Sequence, residues 1–444
     1  MKTKEYKKVQ LGPKEVEVPA SWEVKKMKEL INFKNGYAFS SRNYTDKGKI
    51  VFRMSNIDRQ GNLNVNNDNI KHCSEEEYNK LPNYHLEKGD LVICMTDMSP
   101  EMAILGRTTI INKNNRYILN QRVGRIRIKE KDLIRKRYLH YYTNLKVYLD
   151  YMKATATGTA QYNTSTKTIK NTNVFLPSLS EQEKIAEVLS TVDEVIEKTN
   201  QIIEKSKKLK KGLIQDLLTK GIGHDELKKV QLGPKEVEVP EDWKIEKIGS
   251  LGEVKGGKRL PKGHNYSKKR TPFPYLRIVD FKDGTIQKEK LKYLKEKTYK
   301  KINRYSITSN DVFISIVGTI GLAGIIPDDL DGAILTENAA KIFNLKEVNG
   351  LFLSYYLNSS LGQNEISRFV ISTTQPKLAL FRIKKIEIPL PPLSEQEKIA
   401  EVLSTVDKKI EKEKEYKEKL QEIKKGLMQD LLTGKVRVNN LINN

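Results

Sequence analysis

The sequence predicts an α+β chain: two mixed α/β domains separated by two long antiparallel coiled-coil helices, arranged as an internal repeat about a pseudo-twofold axis. Three observations predict it. The segment KKVQLGPKEVEVP at Lys7 to Pro19 returns unchanged at Lys228 to Pro240, 221 positions later. The segment LSEQEKIAEVLSTVD at Leu179 to Asp193 returns unchanged at Leu393 to Asp407, now 214 positions later. Each copy of the second segment runs on into apolar residues at heptad spacing, whereas the stretches before it differ between copies.

The order is leader, variable middle and helical block, twice over. This divides the chain into a leader (1–19), a first mixed domain (20–177), a first long helix (178–220), a linker with the second leader (221–240), a second mixed domain (241–391), a second long helix (392–434) and a tail (435–444). A chain of 444 residues is long enough for more than one core.

The two middles share a skeleton. Lys34, Gly36, Tyr78, Lys80, Tyr84, Asp90 and Ile93 match Lys255, Gly257, Tyr299, Lys301, Tyr305, Asp311 and Ile314 at an offset of 221. Past a seven-residue deletion, Leu139, Tyr141, Tyr142, Gln161, Ile169 and Lys170 match Leu353, Tyr355, Tyr356, Gln375, Ile383 and Lys384 at 214. Apolar, β-rich runs between Gly, Asn and Pro turns predict strands at Lys49 to Met54, Asp90 to Met95, Arg122 to Ile128, Pro274 to Val279, Val312 to Val317 and Ala333 to Ile342. A short helix is expected around Leu133 to Tyr151.

In the helical blocks, Ser180 with Glu183, and Ser394 with Glu397, have capping-box spacing and predict where each long helix starts. The expected seam is Ile185, Leu189, Val192, Ile196 and Ile203, resuming at Leu209, Leu213 and Leu217. Its second copy is Ile399, Leu403, Val406, Ile410 and Leu420, continuing through Ile423, Leu427 and Leu431. Glu181 to Thr219 would span about 58 Å at ~1.5 Å per residue. Two such helices, each preceded by a repeat of the same unit, are expected to pair antiparallel and space two heads. A simple dimerising coiled coil is the plainer reading of the same pattern.

Lys and Arg total 80 against 56 Asp and Glu, a formal charge of +24, so the expected partner is a polyanion. No apolar run of membrane-spanning length and no signal-peptide core occurs, so a cytoplasmic protein without membrane contact is expected. Cys73 and Cys94 have no metal-ligand spacing, and none of the five His forms HxxxH or HExxH, so no metal site is expected. A phosphate loop of the form GxxxxGK[ST] and the [ND]PP[YF] tetrapeptide of amino-methyltransferases are both missing. GTIGLAG at Gly318 to Gly324 lacks dinucleotide-loop spacing and reads as a strand edge or turn. No catalytic residue and no cofactor are assigned to this chain.

The repeated LPSLSEQEKIAEVLSTVD (Leu176 to Asp193) and LPPLSEQEKIAEVLSTVD (Leu390 to Asp407) resemble the specificity subunit of type I restriction-modification systems. Supporting the resemblance are Gly36 and Gly257, the strands GDLVI (Gly89 to Ile93) and NDVFI (Asn310 to Ile314), LNQRV (Leu119 to Val123), and Gln161 and Gln375 ahead of each block. The resemblance implies that each middle is a target recognition domain for one half of a bipartite double-stranded DNA site. It implies helices that set the gap and hold two modification subunits. Those partners would bring S-adenosylmethionine, and restriction/translocase subunits would bring ATP and Mg chemistry.

DNA-binding candidates lie in the middles, because base edges are read by Arg, Asn, Gln and Lys and phosphates are met by Lys and Arg. Arg53 and Asn56 are matched with Arg277 and Asp280, each after a strand. Gln161 with Lys167, and Gln375 with Lys377, sit in polar loops. Lys205 to Lys211 and Lys424 to Lys425 read as solvated helix faces or partner contacts. A rival reading is a coiled-coil adaptor that binds nucleic acid without sequence preference; another is an enzyme with a cryptic site.

Overall fold

The computed structural model describes residues 5–65, 69–371 and 376–441. The chain forms two compact units. One takes the residues up to Asn200 together with those from Tyr416 onward, and the other takes Gln201–Glu415.

In the first unit the leader is a hairpin of Tyr6–Leu11 and Lys14–Pro19, paired from Tyr6↔Pro19 to Leu11↔Lys14. Its period-two alternation buries Leu11, Val16 and Val18 and leaves Lys8, Gln10, Glu15 and Glu17 outside. The mixed domain carries two four-stranded sheets. The first runs Thr108–Ile110, Leu91–Cys94, Val123–Ile128, Ile31–Asn35, antiparallel throughout. The second runs His72–Cys73, Lys49–Phe52, Tyr117–Leu119, His85–Leu86, with a parallel central pair. Leu91–Cys94 is apolar at every position because both its faces are covered: Leu91 and Ile93 enter one core, Val92 and Cys94 the other.

The expected helix around Leu133 to Tyr151 is two helices, Lys136–Thr143 and Lys146–Ala154, separated at Asn144, which the side chain of Asn144 ties to Thr108 O at 3.0 Å. Glu23–Lys26 pairs with Asn173–Leu176, so the domain leaves beside the point at which it enters and runs directly into the first long helix.

The second unit repeats this plan. A hairpin of Leu227–Leu232 and Lys235–Pro240 precedes sheets ordered Glu253–Gly256, Ala339–Phe343, Val312–Ser315, Ala323–Ile325, and Lys292–Tyr293, Pro274–Leu276, Ala333–Leu335, Ser306–Ile307. The single run expected at Ala333 to Ile342 is therefore two strands of different sheets. Lys244–Lys247 closes the domain on Glu387–Leu390.

The matched skeleton residues are structural. A Cβ on Gly36 would stand 1.8 Å from Asn120 O, and one on Gly257 would stand 2.1 Å from Thr336 O, so each strand passes its neighbour only as glycine. Lys34 lies over the Tyr84 ring and Lys255 over Tyr305. Buried Asp90 binds Arg127 at 2.7 Å and buried Asp311 binds Lys341 at 2.7 Å.

The long helices are Leu179–Leu217 and Leu393–Leu432. Their starts correct the sequence reading. Ser178, not Ser180, caps the first, accepting from Glu181 N at 3.3 Å, and Pro392 precedes the second, its carbonyl accepting from Glu395 N and Gln396 N. Ser180 and Ser394 are already inside the first turn. In the first unit Asp193 binds Lys424 at 2.5 Å and Glu181 binds Arg437 at 2.6 Å, the descending order of an antiparallel pair. In the second, Lys210 binds Asp407 at 2.6 Å and His224 binds Glu395 at 3.0 Å, again descending.

Along the seam Ile185, Leu189, Ile203, Ile399, Leu403 and Ile410 are buried, and Val192, Ile196, Val406 and Leu420 are half-buried. Leu209 and Ile423, expected in the seam, are 58% and 54% exposed. Strict alternation of steps of four and three places Thr199, Ser206 and Lys210, and in the second copy Lys424, in the seam instead. Lys210 and Lys424 are thus internal ion-pair partners rather than solvated or partner-facing charges. Each carboxylate they meet also accepts a tyrosine hydroxyl from the adjacent domain: Tyr141 to Asp193 at 2.8 Å and Tyr355 to Asp407 at 2.8 Å.

One half-buried imidazole makes the fold pH-sensitive. Burial, with Lys424 adding to it, pushes His140 from 6.5 down to about 3, and the ring sits 3.1 Å from Thr108 Oγ1. The unfolded chain binds a proton at His140 below about 6.5 that the folded one refuses until about 3. This contribution is therefore complete above 6.5 and is lost as pH falls. Denaturation titrations at stepped pH are expected to show that decline, and His140→Gln is expected to flatten it; an unchanged slope would remove His140 as its source.

Candidate nucleic-acid interface

The repeated Ser-Glu-Gln triplet is a clasp built where leader, domain and long helix meet. Gln182, fully buried, donates to Leu133 O at 2.8 Å and Pro177 O at 3.0 Å and accepts from Arg135 N at 2.8 Å. Gln396 does the same with Glu347 O, Pro391 O and Asn349 N. Glu181 accepts from the buried Trp22 indole at 3.3 Å, and Glu395 from Trp243 at 3.1 Å. Glu183 lies outside this clasp and pairs with Arg135 at 2.5 Å. The fourth group differs between units: Arg437 from the tail binds Glu181 through two nitrogens, whereas His224 from the linker binds Glu395. The repeated motif contains Glu181 and Gln182 without revealing their partners, and no local motif flags Arg437, because Arg437 lies 256 positions from Glu181.

The clasp holds each domain, and the recognition candidates lie on it unevenly. Asn56 is 1% exposed; its Oδ1 accepts from Arg53 N at 2.8 Å and its Nδ2 donates to Asn64 O at 3.0 Å. Asp280 is 3% exposed and does the matched job, accepting from Arg277 N at 2.8 Å. Both shape the turn after a strand, and the flanking arginine is half-buried in each domain. The two arginines differ in turn. Arg277 is locked onto Asp280 through Nε at 3.0 Å and Nη2 at 2.7 Å, and it also donates to Lys290 O. Arg53 has no ion-pair partner among the described residues.

Arg277→Ala would leave a buried carboxylate without its cation, so it is expected to cost the second unit about 2 kcal/mol, against less than about 0.5 for Arg53→Ala. Thermal melts of the two variants check this; equal shifts would contradict the assignment.

Gln161, half-buried, donates to Asn163 Oδ1 at 3.2 Å beside the strand Tyr162–Asn163. Lys167 is exposed on the short helix Thr166–Lys170, and Lys377 is exposed on Lys377–Leu378. Gln375 lies outside the described residues. Gly318 and Gly321 occupy positive φ in the turn between Val312–Ser315 and Ala323–Ile325, so GTIGLAG is a turn that runs into a strand.

Two like α+β domains, each clasped to a paired long helix and presenting polar loops, make this a two-headed recognition scaffold. The family model for the type I restriction modification DNA specificity domain matches residues 19–208 and 240–422, and the chain belongs to that family. Among its curated relatives, the type I restriction enzyme MjaVIII specificity subunit of Methanocaldococcus jannaschii is 33% identical over 310 residues, covering 68% of this chain and 71% of that one. The putative MjaX specificity subunit of the same organism is 27% identical over 98% of both chains. The EcoBI specificity subunit of Escherichia coli is 24% identical over 85% of this chain and 78% of that one. A solved type I S subunit from M. genitalium shares the fold, with TM-score 0.55 at 16% identity over 95% of this chain and 98% of that one. Specificity subunits are non-catalytic, and catalysis lies in partner subunits. Among the described residues no helix is long and apolar enough to cross a membrane.

Proposed function

We propose that each mixed domain reads one half of a bipartite double-stranded DNA site, that the paired long helices set the gap, and that two modification subunits dock on the repeated surfaces. The observation that carries this reading is the contrast within the chain. Lys8, Gln10, Glu15 and Glu17 on the outer face of the first hairpin recur as Lys229, Gln231, Glu236 and Glu238, although exposed residues are free to drift at little cost. The domain surfaces between them differ. Identical surfaces suit one partner bound twice, and unlike surfaces suit two unlike half-sites.

In this reading the modification subunits supply S-adenosylmethionine-dependent methylation, and restriction/translocase subunits supply ATP- and Mg-dependent steps, in the cytoplasm where the DNA lies. Arg53, Gln161, Lys167, Gln375 and Lys377 are the proposed DNA contacts, with Arg277 held by Asp280 at the matching position of the second domain.

The test is single-base methylation mapping of DNA from cells that express this chain with its candidate modification subunit, against a strain lacking the chain. A methyl-adenine motif in two specified parts around a fixed gap, lost without the chain, is expected. Binding without a motif, beside a modification subunit active with another specificity chain, would favour the adaptor.

A further inference from the structure

The length difference between the two domains falls mainly in one connection. Thr108 pairs with Ile93 in the first domain, and Ala323 with Ile314 in the second, so the same strands are joined by residues 95–107 in one and 316–322 in the other. The longer connection is a built object. Asp97, 4% exposed, accepts from Ser99 N at 2.7 Å, Ser99 Oγ at 2.8 Å and Ile104 N at 2.7 Å. Leu105 is fully buried at its return, and Lys153 holds Glu101 O at 2.7 Å. Beside this anchored turn stands Met98, 57% exposed, an apolar side chain next to buried Asp97.

One polar side chain reaches Met98, and a second polar residue lies opposite it in the strand register. Arg122 Nη1 lies 3.9 Å from Met98 Sδ, and Arg122 makes no ion pair among the described residues. Tyr162 pairs with Asp97 and Asn163 with Thr96, so the antiparallel register sets Gln161 opposite Met98. The matched place in the second domain lacks both the long connection and the arginine. Ile316 N donates to Asn338 O as Met95 N donates to Arg122 O, so Asn338 stands where Arg122 does, beside a glycine turn instead of the loop.

We infer that Met98 and Arg122 form a base-reading cluster specific to the first domain, with Arg122 directed at a guanine and Met98 packed on the adjacent base. This rests on the reading of each domain as the reader of one half-site. The chemistry fits: the arginine fork matches guanine O6 and N7 in the major groove, and apolar groups meet a thymine methyl. A guanidinium lying on a thioether is held in place without a counter-charge, which leaves its donors for a base. Loops on a rigid support are where recognition differs between like scaffolds.

The experiment compares the full chain with Arg122→Ala, Arg122→Lys and Met98→Ala, each with the modification subunit, by methylation mapping and by competition with duplexes carrying every base at each specified position. The expected result is a roughly 10- to 100-fold loss of preference at one position of one half-site for Arg122→Ala. Met98→Ala should lose preference at the neighbouring position, with the other half-site and the melting temperature unchanged. Arg122→Lys should recover less than half of the discrimination, because a point charge lacks the fork. Equal weakening on all sequences would make Arg122 a phosphate contact and overturn the proposal, as would unaltered preference. If the unsubstituted chain gives no two-part motif, the underlying reading fails; a wild-type motif with insensitive variants sinks only the cluster.

Discussion

Replacing Arg437 with alanine is expected to destabilise the first unit by about 3 kcal/mol and lower its melting temperature by roughly 6–12 °C. Glu181 is 1% exposed, and Arg437 is its only cationic partner among the described residues, bound at 2.6 and 2.9 Å. Without Arg437 the carboxylate keeps, among the described residues, the Trp22 indole alone, and a buried charge that loses its partner costs several-fold more than a surface pair is worth. The second unit supplies the internal control. Glu395 accepts from Ile222 N at 2.8 Å and Trp243 Nε1 at 3.1 Å besides His224, and its side chain is 12% exposed, so it is better satisfied and wetter. His224→Ala should therefore cost less than about half as much. Calorimetry of both variants decides the matter: equal losses would mean that the tail does not close the first repeat as the linker closes the second.

That closure was invisible in the sequence for a physical reason. The duplication, the long helices and the domain order follow from repeats and periodicity, which are local properties of the string. The clasp depends on Arg437 meeting Glu181, 256 positions away, and no window contains both. The seam failed at Leu209 and Ile423 for a related reason. Counting apolar residues skips Lys210 and Lys424, yet a lysine can hold a seam position when an aspartate and a tyrosine hydroxyl reach it from other elements. Among the recognition candidates, Arg53 and Arg277 match in position but not in state, because Asn56 leaves a guanidinium unpaired where Asp280 captures one. The connection at 95–107 was legible only as a net deletion; strand register was needed to place it.

The same ion pairs make the spacing proposal testable without breaking the helix pair. Excising 201–207 from the first helix and 410–416 from the second removes one heptad from each. The excision leaves Asp193–Lys424 and Lys210–Asp407 in register, since the pairs lie outside the cuts on both helices. Seven residues correspond to about 10 Å of helix, or about three base pairs at ~3.4 Å each. Methylation of the parent site is expected to vanish, with the same two half-sites now recognised across a gap shorter by about three base pairs. A heptad turns the helix through nearly two full turns, so the heads keep their rotation, while three base pairs turn the far half-site by roughly a third of a DNA turn. The shortened site should therefore be methylated more slowly than the parent, by the cost of twisting or bending the DNA back into phase. Circular dichroism must show the paired helices intact. With that satisfied, an unchanged gap would mean that something other than helix length measures the distance between half-sites.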